Sequence, residues 1–545
     1  MKRKKVTAVL TAAVMGITAG CTGVWAADSY QETEKTVLAE GIKDFAAVYG
    51  KSLDMQMDAL KGSDGVFSLE LTDAGRVMIG SLAQMDVSWM KNADIKVKVT
   101  MDEGAMAELL DVYLNDQKIC SVEYYMDVET SDLYMKIPEI SDSYIKMNIE
   151  EAAEMAEEAA EEAAEYSEDD YSSSYSTGGL EQVENMVKSM NMVLNMERYL
   201  PDAKALEELL TTYTSILVDN AKEGVTGTET VTAGDISQEC TVYEGILSEK
   251  EMLQVMQDAL AEARDDVNIK DILLKWGETE EDPEEFYAAY QGAVDAILSS
   301  VEAQTEVNDD DSYFFSKLWV DENGKVVGRQ LGLHHEEDTD DPLLTYQMPK
   351  DGENFAMKLE VSSGGSEFSL TGNGEIKDEM LSGEYVASVD GAEGIKIQVN
   401  DYDIKSMSEG EWNASYVLSV LPGMAGESYD LLSGYAVTAD LKSEGTSGDI
   451  SLNLLSQGAS LGELRLTADV GEGVKIPDFD TLENTCNMLD EQEAAEYTST
   501  ITLDAIMENL SAAGMPEEML SMLTGSMTGT DVSGQTEAET ADGSQ

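Results

Sequence analysis

The chain has 545 residues, with 109 Asp and Glu against 34 Lys and Arg, a formal net charge of −75, and only four cysteines. A charge of that size repels phosphate backbones and anionic head groups, which excludes direct binding of DNA or RNA. The length suffices for more than one core, at roughly 100–200 residues per domain.

Lys2, Arg3, Lys4 and Lys5 precede an apolar stretch from Val6 to about Gly20. These are the n-region and h-region of a signal peptide, and the stretch falls short of the ~20 apolar residues of a membrane span. Two processing sites compete. Thr18-Ala19-Gly20-Cys21 puts small residues before a lone cysteine, which marks Cys21 for lipidation, whereas Val24-Trp25-Ala26 has the small-x-small pattern of ordinary signal peptidase and would free a chain starting near Ala27. Either outcome places the mature chain outside the cytoplasm, as a cell-surface lipoprotein or as a secreted protein. Removing the four basic residues takes the charge to −79. No later segment approaches ~18 uninterrupted apolar residues, so no further span is expected.

Residues 31–61 show helical spacing, with Val37, Leu38, Ile42, Phe45 and Val48 on one side. From about Val66 the period changes to two. Tyr113-Leu114 ends at the turn signal Asn115-Asp116, and Cys120, Val122, Tyr124, Met126 and Val128 then share one strand face, followed by the alternations Leu133-Met135-Ile137 and Ile145-Met147-Ile149. Residues 150–170 carry eleven carboxylates among alanines, and a Ser/Tyr/Gly run follows. A solvated insertion suits that composition. Helical spacing resumes at Val183, Met186, Val187, Met190, Val193 and Leu194. Ser248 and Glu251 form a capping box for a helix to about Ala263, and more helix is expected over 268–303. Leu318-Trp319-Val320 turns at Asn323-Gly324, and further strands centre on Leu359, Leu370, Val386, Ile397, Val417, Val437, Leu452 and Leu464. An amphipathic helix is expected from Ile501 to Leu523.

These readings divide the chain into a signal peptide (1–26), a helix plus antiparallel sheet (28–149), an acidic insertion (150–179), a helical region (180–303) with a strand at 224–247, an antiparallel meander (304–475), a helical segment (476–523) and a disordered tail (524–545). The fold class is α+β, built on antiparallel meanders.

Chemical motifs are sparse. His334 and His335 are the only histidines, and as neighbours in a strand they point to opposite faces, which disfavours a shared metal. Asp321-Glu322-Asn323-Gly324 has Gly332 where a calcium loop needs its last glutamate, so it reads as a hairpin turn. Ser143-Tyr144-Ile145-Lys146 matches a serine-x-x-lysine pattern but falls in a strand with no accompanying Lys-Thr-Gly. Cys120, Cys240 and Cys486 have no close-spaced partners, and three cannot all pair within one chain; Cys120, on an apolar strand face, is expected to be a buried thiol. No catalytic residue, metal or cofactor is therefore expected. Thirty methionines, among them Met186, Met190, Met507, Met515, Met519 and Met522, recur on helical faces and suit adaptable apolar surfaces.

The Cys21 signal, the N-terminal helix and meanders such as Leu133-Tyr134-Met135-Lys136-Ile137-Pro138 and Leu318-Trp319-Val320-Asp321-Glu322-Asn323-Gly324-Lys325 resemble the LolA/LppX-like lipoproteins, and more closely large envelope lipoproteins of gut Firmicutes. The resemblance implies a curved antiparallel sheet, an open half-barrel, with helices packed on its concave side around lipid or acyl chains. Three roles stay open: a non-enzymatic envelope module binding an amphiphile or a partner protein, the favoured reading; a structural or sensory surface protein without a small ligand; and a carboxylate-dependent hydrolase, which needs two buried acids facing each other. The membrane is an expected partner through the anchor at Cys21. Intact mass of the chain from its native membrane should give Cys21 as the N-terminal residue carrying a diacylglycerol; an unmodified N-terminus near Ala27 would select the secreted form instead.

Overall fold

The computed structural model describes residues 29–102, 104–152, 154–155, 199–277, 282–303, 313–335, 339–421 and 434–527. Cys21, most of the acidic insertion, the helical run from Val183 to Leu194 and the tail after 527 lie outside the described residues.

Helix α1 (Tyr30–Lys61) starts at Ser29, whose Oγ accepts from the Glu32 amide. Its buried residues Tyr30, Thr33, Glu34, Val37, Leu38, Gly41, Ile42 and Ala46 recur every three or four positions and form one stripe. Strand β1 (Ser63–Leu71) leads into a short helix α2 (Asp73–Ala83), capped by Thr72. Strands β2 (Asn92–Asp102), β3 (Ala105–Leu114), β4 (Gln117–Asp127), β5 (Asp132–Lys136) and β6 (Tyr144–Asn148) continue the meander. Asn115 and Asp116 take φ of 50° and 64° at the predicted turn, a conformation these two residue types tolerate.

Helix α3 (Ala203–Asn220) packs along α1. Strands β7 (Lys222–Glu223), β8 (Gly227–Ala233) and β9 (Ile236–Ser248) follow, then helices α4 (Glu249–Asp265), α5 (Val267–Gly277) and α6 (Pro283–Glu302). The predicted Ser248–Glu251 capping box is present at α4. The helix expected over 268–303 is two, since Asp282 caps a new helix with Pro283 in its first turn. The second meander comprises β10 (Tyr313–Val320), β11 (Val326–His335), β12 (Thr339–Gln347), β13 (Lys350–Asp351), β14 (Asn354–Ser363), β15 (Ser366–Lys377), β16 (Met380–Val389) and β17 (Ala392–Asp403). After α7 (Ile404–Ser408) come β18 (Asn413–Val420), β19 (Tyr435–Glu444), β20 (Ser447–Ser456), β21 (Ala459–Val470) and β22 (Thr485–Asn487), then helices α8 (Glu491–Thr500), α9 (Asp504–Ala512) and α10 (Glu517–Met527). The single helix expected at 501–523 is thus α9 and α10, separated where Gly514 takes φ of 93° before Pro516.

All these strands belong to one 22-stranded sheet. Neighbours in the chain pair antiparallel from β9 through β12 and from β14 through β21, with β12 joined to β14. β1 then adds to β21 in an unbroken register from Ser63↔Val470 to Leu71↔Gly462, and β2 to β6 continue from it. Among the described residues the terminal β6–β22 pairing alone is parallel. Among the described residues no pairing joins the β8 end to the β22 end, so the sheet is open.

Helix α1 touches β9 near its start and reaches β21 and β2 further along. In a flat sheet β9 and β2 would stand about 62 Å apart at ~4.8 Å per strand. The helix spans about 48 Å at ~1.5 Å per residue; at the other end of the sheet β8 reaches β12 and β14 around the buried cluster Val231, Cys240, Val242, Trp319 and Val327.

The anchor of that packing is a buried ion pair. Arg329 on β11 and Glu34 on α1 are both 0% exposed, and the guanidinium grips the carboxylate with two bonds, Nη1–Oε1 at 2.6 Å and Nη2–Oε2 at 3.1 Å. Tyr30, one turn earlier, lies on Gly245, where a Cβ would come within 2.1 Å of its ring. Burial and the Glu34 charge push the Tyr30 phenol pKa far above its ordinary value. Around them Leu38, Ile42, Leu217, Val218, Leu318 and Leu331 form the main core, each contributing roughly 1.5–3 kcal/mol by burial. Arg329→Ala strands the buried Glu34 charge and should cost about 3–5 kcal/mol in urea unfolding, whereas the pair Glu34→Leu/Arg329→Met should recover most of it; a loss below about 1 kcal/mol for the single variant would refute the anchoring role.

Candidate functional site

Register decides which side chains share a face, because successive residues of a strand alternate. Ile95, Phe67, Leu466, Ile450 and Leu441 align across β2, β1, β21, β20 and β19. Two residues along, Leu69, Leu464, Leu452, Ala439 and Tyr416 form a second row, and Leu71, Gly462, Leu454, Val437 and Leu418 a third. The next row runs from Val420 through Ile395, Ala387, Leu370, Leu359 and Tyr346 to Arg329, which reaches Glu34 on α1. All four rows therefore lie on the helix-bearing face.

Where β9 to β12 form that face, the helices cover it. Over β18 to β21, β1 and β2 they leave much of it open: Phe67 is 47% exposed, Ile95 42%, Leu464 46%, Leu418 38%, Leu454 37% and Leu452 36%. Of the polar residues that alternate with them, Ser68, Ser451, Asn453 and Glu463 are half-buried, while Glu70, Lys96, Lys98 and Arg465 are exposed. Both faces of this part of the sheet therefore meet water, whereas the apolar face of an exposed sheet is usually the covered one. Val361, Phe368 and Val389, aligned across β14 to β16, carry a further exposed row at 36%, 40% and 51%.

Helices stand at both ends of the open area. Gly62, which follows α1, accepts from the Gly471 amide at 3.0 Å and so extends the β1–β21 ladder, which brings the end of α1 beside the Ser63 end of β1. At the Leu71 end, Gly75 of α2 lies on the backbone of Leu461, and Tyr435 Oη is 3.9 Å from Met78 Sδ. The result is a trough with an apolar floor and two helical walls. Its first three rows contain no carboxylate, amine or imidazole. The charges sit on the opposite face, where Lys98 pairs with Asp64 at 3.1 Å and Arg465 holds the Asp449 carboxyl below its ordinary range. Such a floor can sorb an apolar chain.

Other cavities have a different character. A groove of about 490 Å³ lies against β14 to β17 beside the β8–β9 turn, lined by Asp235, Asn354, Asn373, Glu375, Gln398 and Asn400 among others. A recess of about 440 Å³ separates α2 from Met85–Ser88, and only about 20 Å³ is left between α1 and α3.

The residues singled out in the sequence do not converge. His334 stacks on Tyr313, ring centroids 4.5 Å apart, with Nδ1 2.8 Å from Asp340, while His335 Nε2 is 3.8 Å from Asp341. Asp321 Oδ1 accepts from the Asn323 and Lys325 amides, a hairpin turn as expected. Lys146, of the serine-x-x-lysine match, is bound to Asp132 at 2.8 Å. Glu34, the fully buried carboxylate, faces a guanidinium rather than a second acid. Met507 and Met519 lie on the C-terminal helices α9 and α10, Met515 in the loop between them, and Met522 is 73% exposed. Among the described residues no cluster of three or more His, Cys, Asp or Glu could hold a metal, and no helix is long and apolar enough to cross a membrane. Strands β18 to β21 were legible in the sequence, centred on Val417, Val437, Leu452 and Leu464. Helix α2 was missed, because eleven residues with two glycines give too short a periodic signal.

The chain matches no family model, no curated protein and no solved structure.

Cys120, Cys240 and Cys486 are all free thiols. The expectation of a buried Cys120 is corrected, since it is only partly covered on the helix-bearing face, whereas Cys240 and Cys486 are buried. Burial pushes Cys240 up to about 11, leaving on the order of one molecule in a thousand as thiolate at pH 8. Ellman's reagent at that pH should therefore reach Cys240 and Cys486 only after denaturation.

Proposed function

We propose that the protein is a non-enzymatic binding module of the cell envelope, held outside the cytoplasm by the lipid anchor expected at Cys21, whose trough takes the apolar part of an amphiphile. The observation that carries this reading is the exposure of Phe67, Ile95, Leu418, Leu452, Leu454 and Leu464 on one sheet face. Contiguous apolar area of that kind on a soluble surface marks an interaction site. Helices on one face of an open, mostly antiparallel sheet are what a LolA/LppX-like half-barrel would require, and an acyl chain laid across the rows would gain burial against every floor residue it covers.

Charge narrows the ligand. At −75 the chain repels anions at long range, so an uncharged or cationic head group is favoured over a carboxylate or phosphate monoester. Wild-type protein should bind a dodecyl maltoside probe better than dodecyl sulfate below their micellar concentrations. Leu452→Asp/Leu464→Asp should lower affinity for the neutral probe at least tenfold. Because both side chains already meet water, the double variant should unfold within about 1 kcal/mol of wild type. Unchanged probe binding in a folded double variant would overturn the trough as the site.

A further inference from the structure

Helix α2 is the most apolar protrusion beside the trough. Val77 is 72% exposed, Leu82 77% and Met85 49%. From Asp73 to Met90 the ionisable residues are Asp73, Arg76 and Asp86, so the segment carries −1 in a chain of −75. Arg76 pairs with Asp73 and donates to the Leu71 carbonyl at 2.8 Å, so the net charge of the segment is that of Asp86 alone. Trp89 closes the segment, its Nε1 donating to the Asp86 carbonyl at 3.1 Å.

Resting on the trough reading, we infer that α2 and the turn after it are an interfacial contact for an electrically neutral lipid bilayer, through which the amphiphile passes between membrane and trough. Three observations favour a bilayer over other occupants. The apolar side chains project outward, as insertion into acyl chains requires, and a tryptophan with a satisfied N–H borders them. The helix offers a footprint of roughly 16 Å by 10 Å, far below the ~800 Å² per partner of a stable protein interface. The contact is continuous with the proposed trough, since Leu71 of the third floor row leads directly into Thr72, the α2 cap, and Met78 reaches Tyr435 on β19.

The test uses full-length Cys21→Ser chain, so that no acyl anchor contributes, in flotation with phosphatidylcholine vesicles. The unaltered surface should float with the vesicles, and less so when half the lipid is phosphatidylglycerol. Val77→Asp/Leu82→Asp should reduce flotation at least tenfold while retaining binding of the dodecyl maltoside probe. Leu452→Asp/Leu464→Asp should do the reverse, keeping flotation and losing the probe. No flotation by the parent, or equal flotation by Val77→Asp/Leu82→Asp, would overturn the membrane contact. So would a change from dimer to monomer in that variant by sedimentation, which would assign α2 to a second copy of the chain. If only the probe result fails, the trough reading falls and the membrane contact stands.

Discussion

The Arg329–Glu34 pair is the constraint on which the rest depends. Hydrophobic burial draws α1 to the sheet without direction, since its strength follows area and not orientation. A bidentate guanidinium–carboxylate contact at 0% exposure does have a direction. It fixes both the rotation of α1 and its position along β11, and Tyr30 on Gly245 allows little sliding. Burying both charges is costly, and the cost is tolerable only because each satisfies the other. With the start of α1 held at β9 to β11, its far end is carried to Gly471 and Gly473, where it becomes a wall of the trough.

The second constraint is the β1–β21 ladder. It joins strands from opposite ends of the sequence in nine consecutive register pairs, so the floor forms only when both ends of the chain have been made and brought together. Long-range pairing of this kind pays its loop-closure entropy before any contact compensates, which makes it a late and cooperative event in folding. The proposed binding surface would thus be absent from partly folded chains, a useful property for an apolar area that would otherwise invite aggregation.

An exposed apolar floor also needs a soluble exterior. Here the opposite sheet face carries the charged and hydroxylated residues, Lys98, Asp64, Asp449 and Arg465 among them, and the whole chain is strongly anionic. Mutual repulsion between molecules keeps trough from meeting trough. The acidity that looks uninformative as composition has a physical role beside such a surface.

The sequence by itself determined most of the strands, several turns and a helix cap. Period-two alternation at Leu359, Leu370, Val386, Ile397, Val417, Val437, Leu452 and Leu464 placed eight strands, and Asn115-Asp116, Asn323-Gly324 and Ser248–Glu251 marked turns and a cap, because these signals act over a few residues of backbone. Alternation gives a strand an apolar side but says nothing of what covers it. The pairing of Glu34 with Arg329, of β1 with β21, and the absence of a helix over Phe67, Leu452 and Leu464 among the described residues were decided by tertiary structure alone. Each depends on which distant segments meet when the chain folds, and no local spacing encodes that.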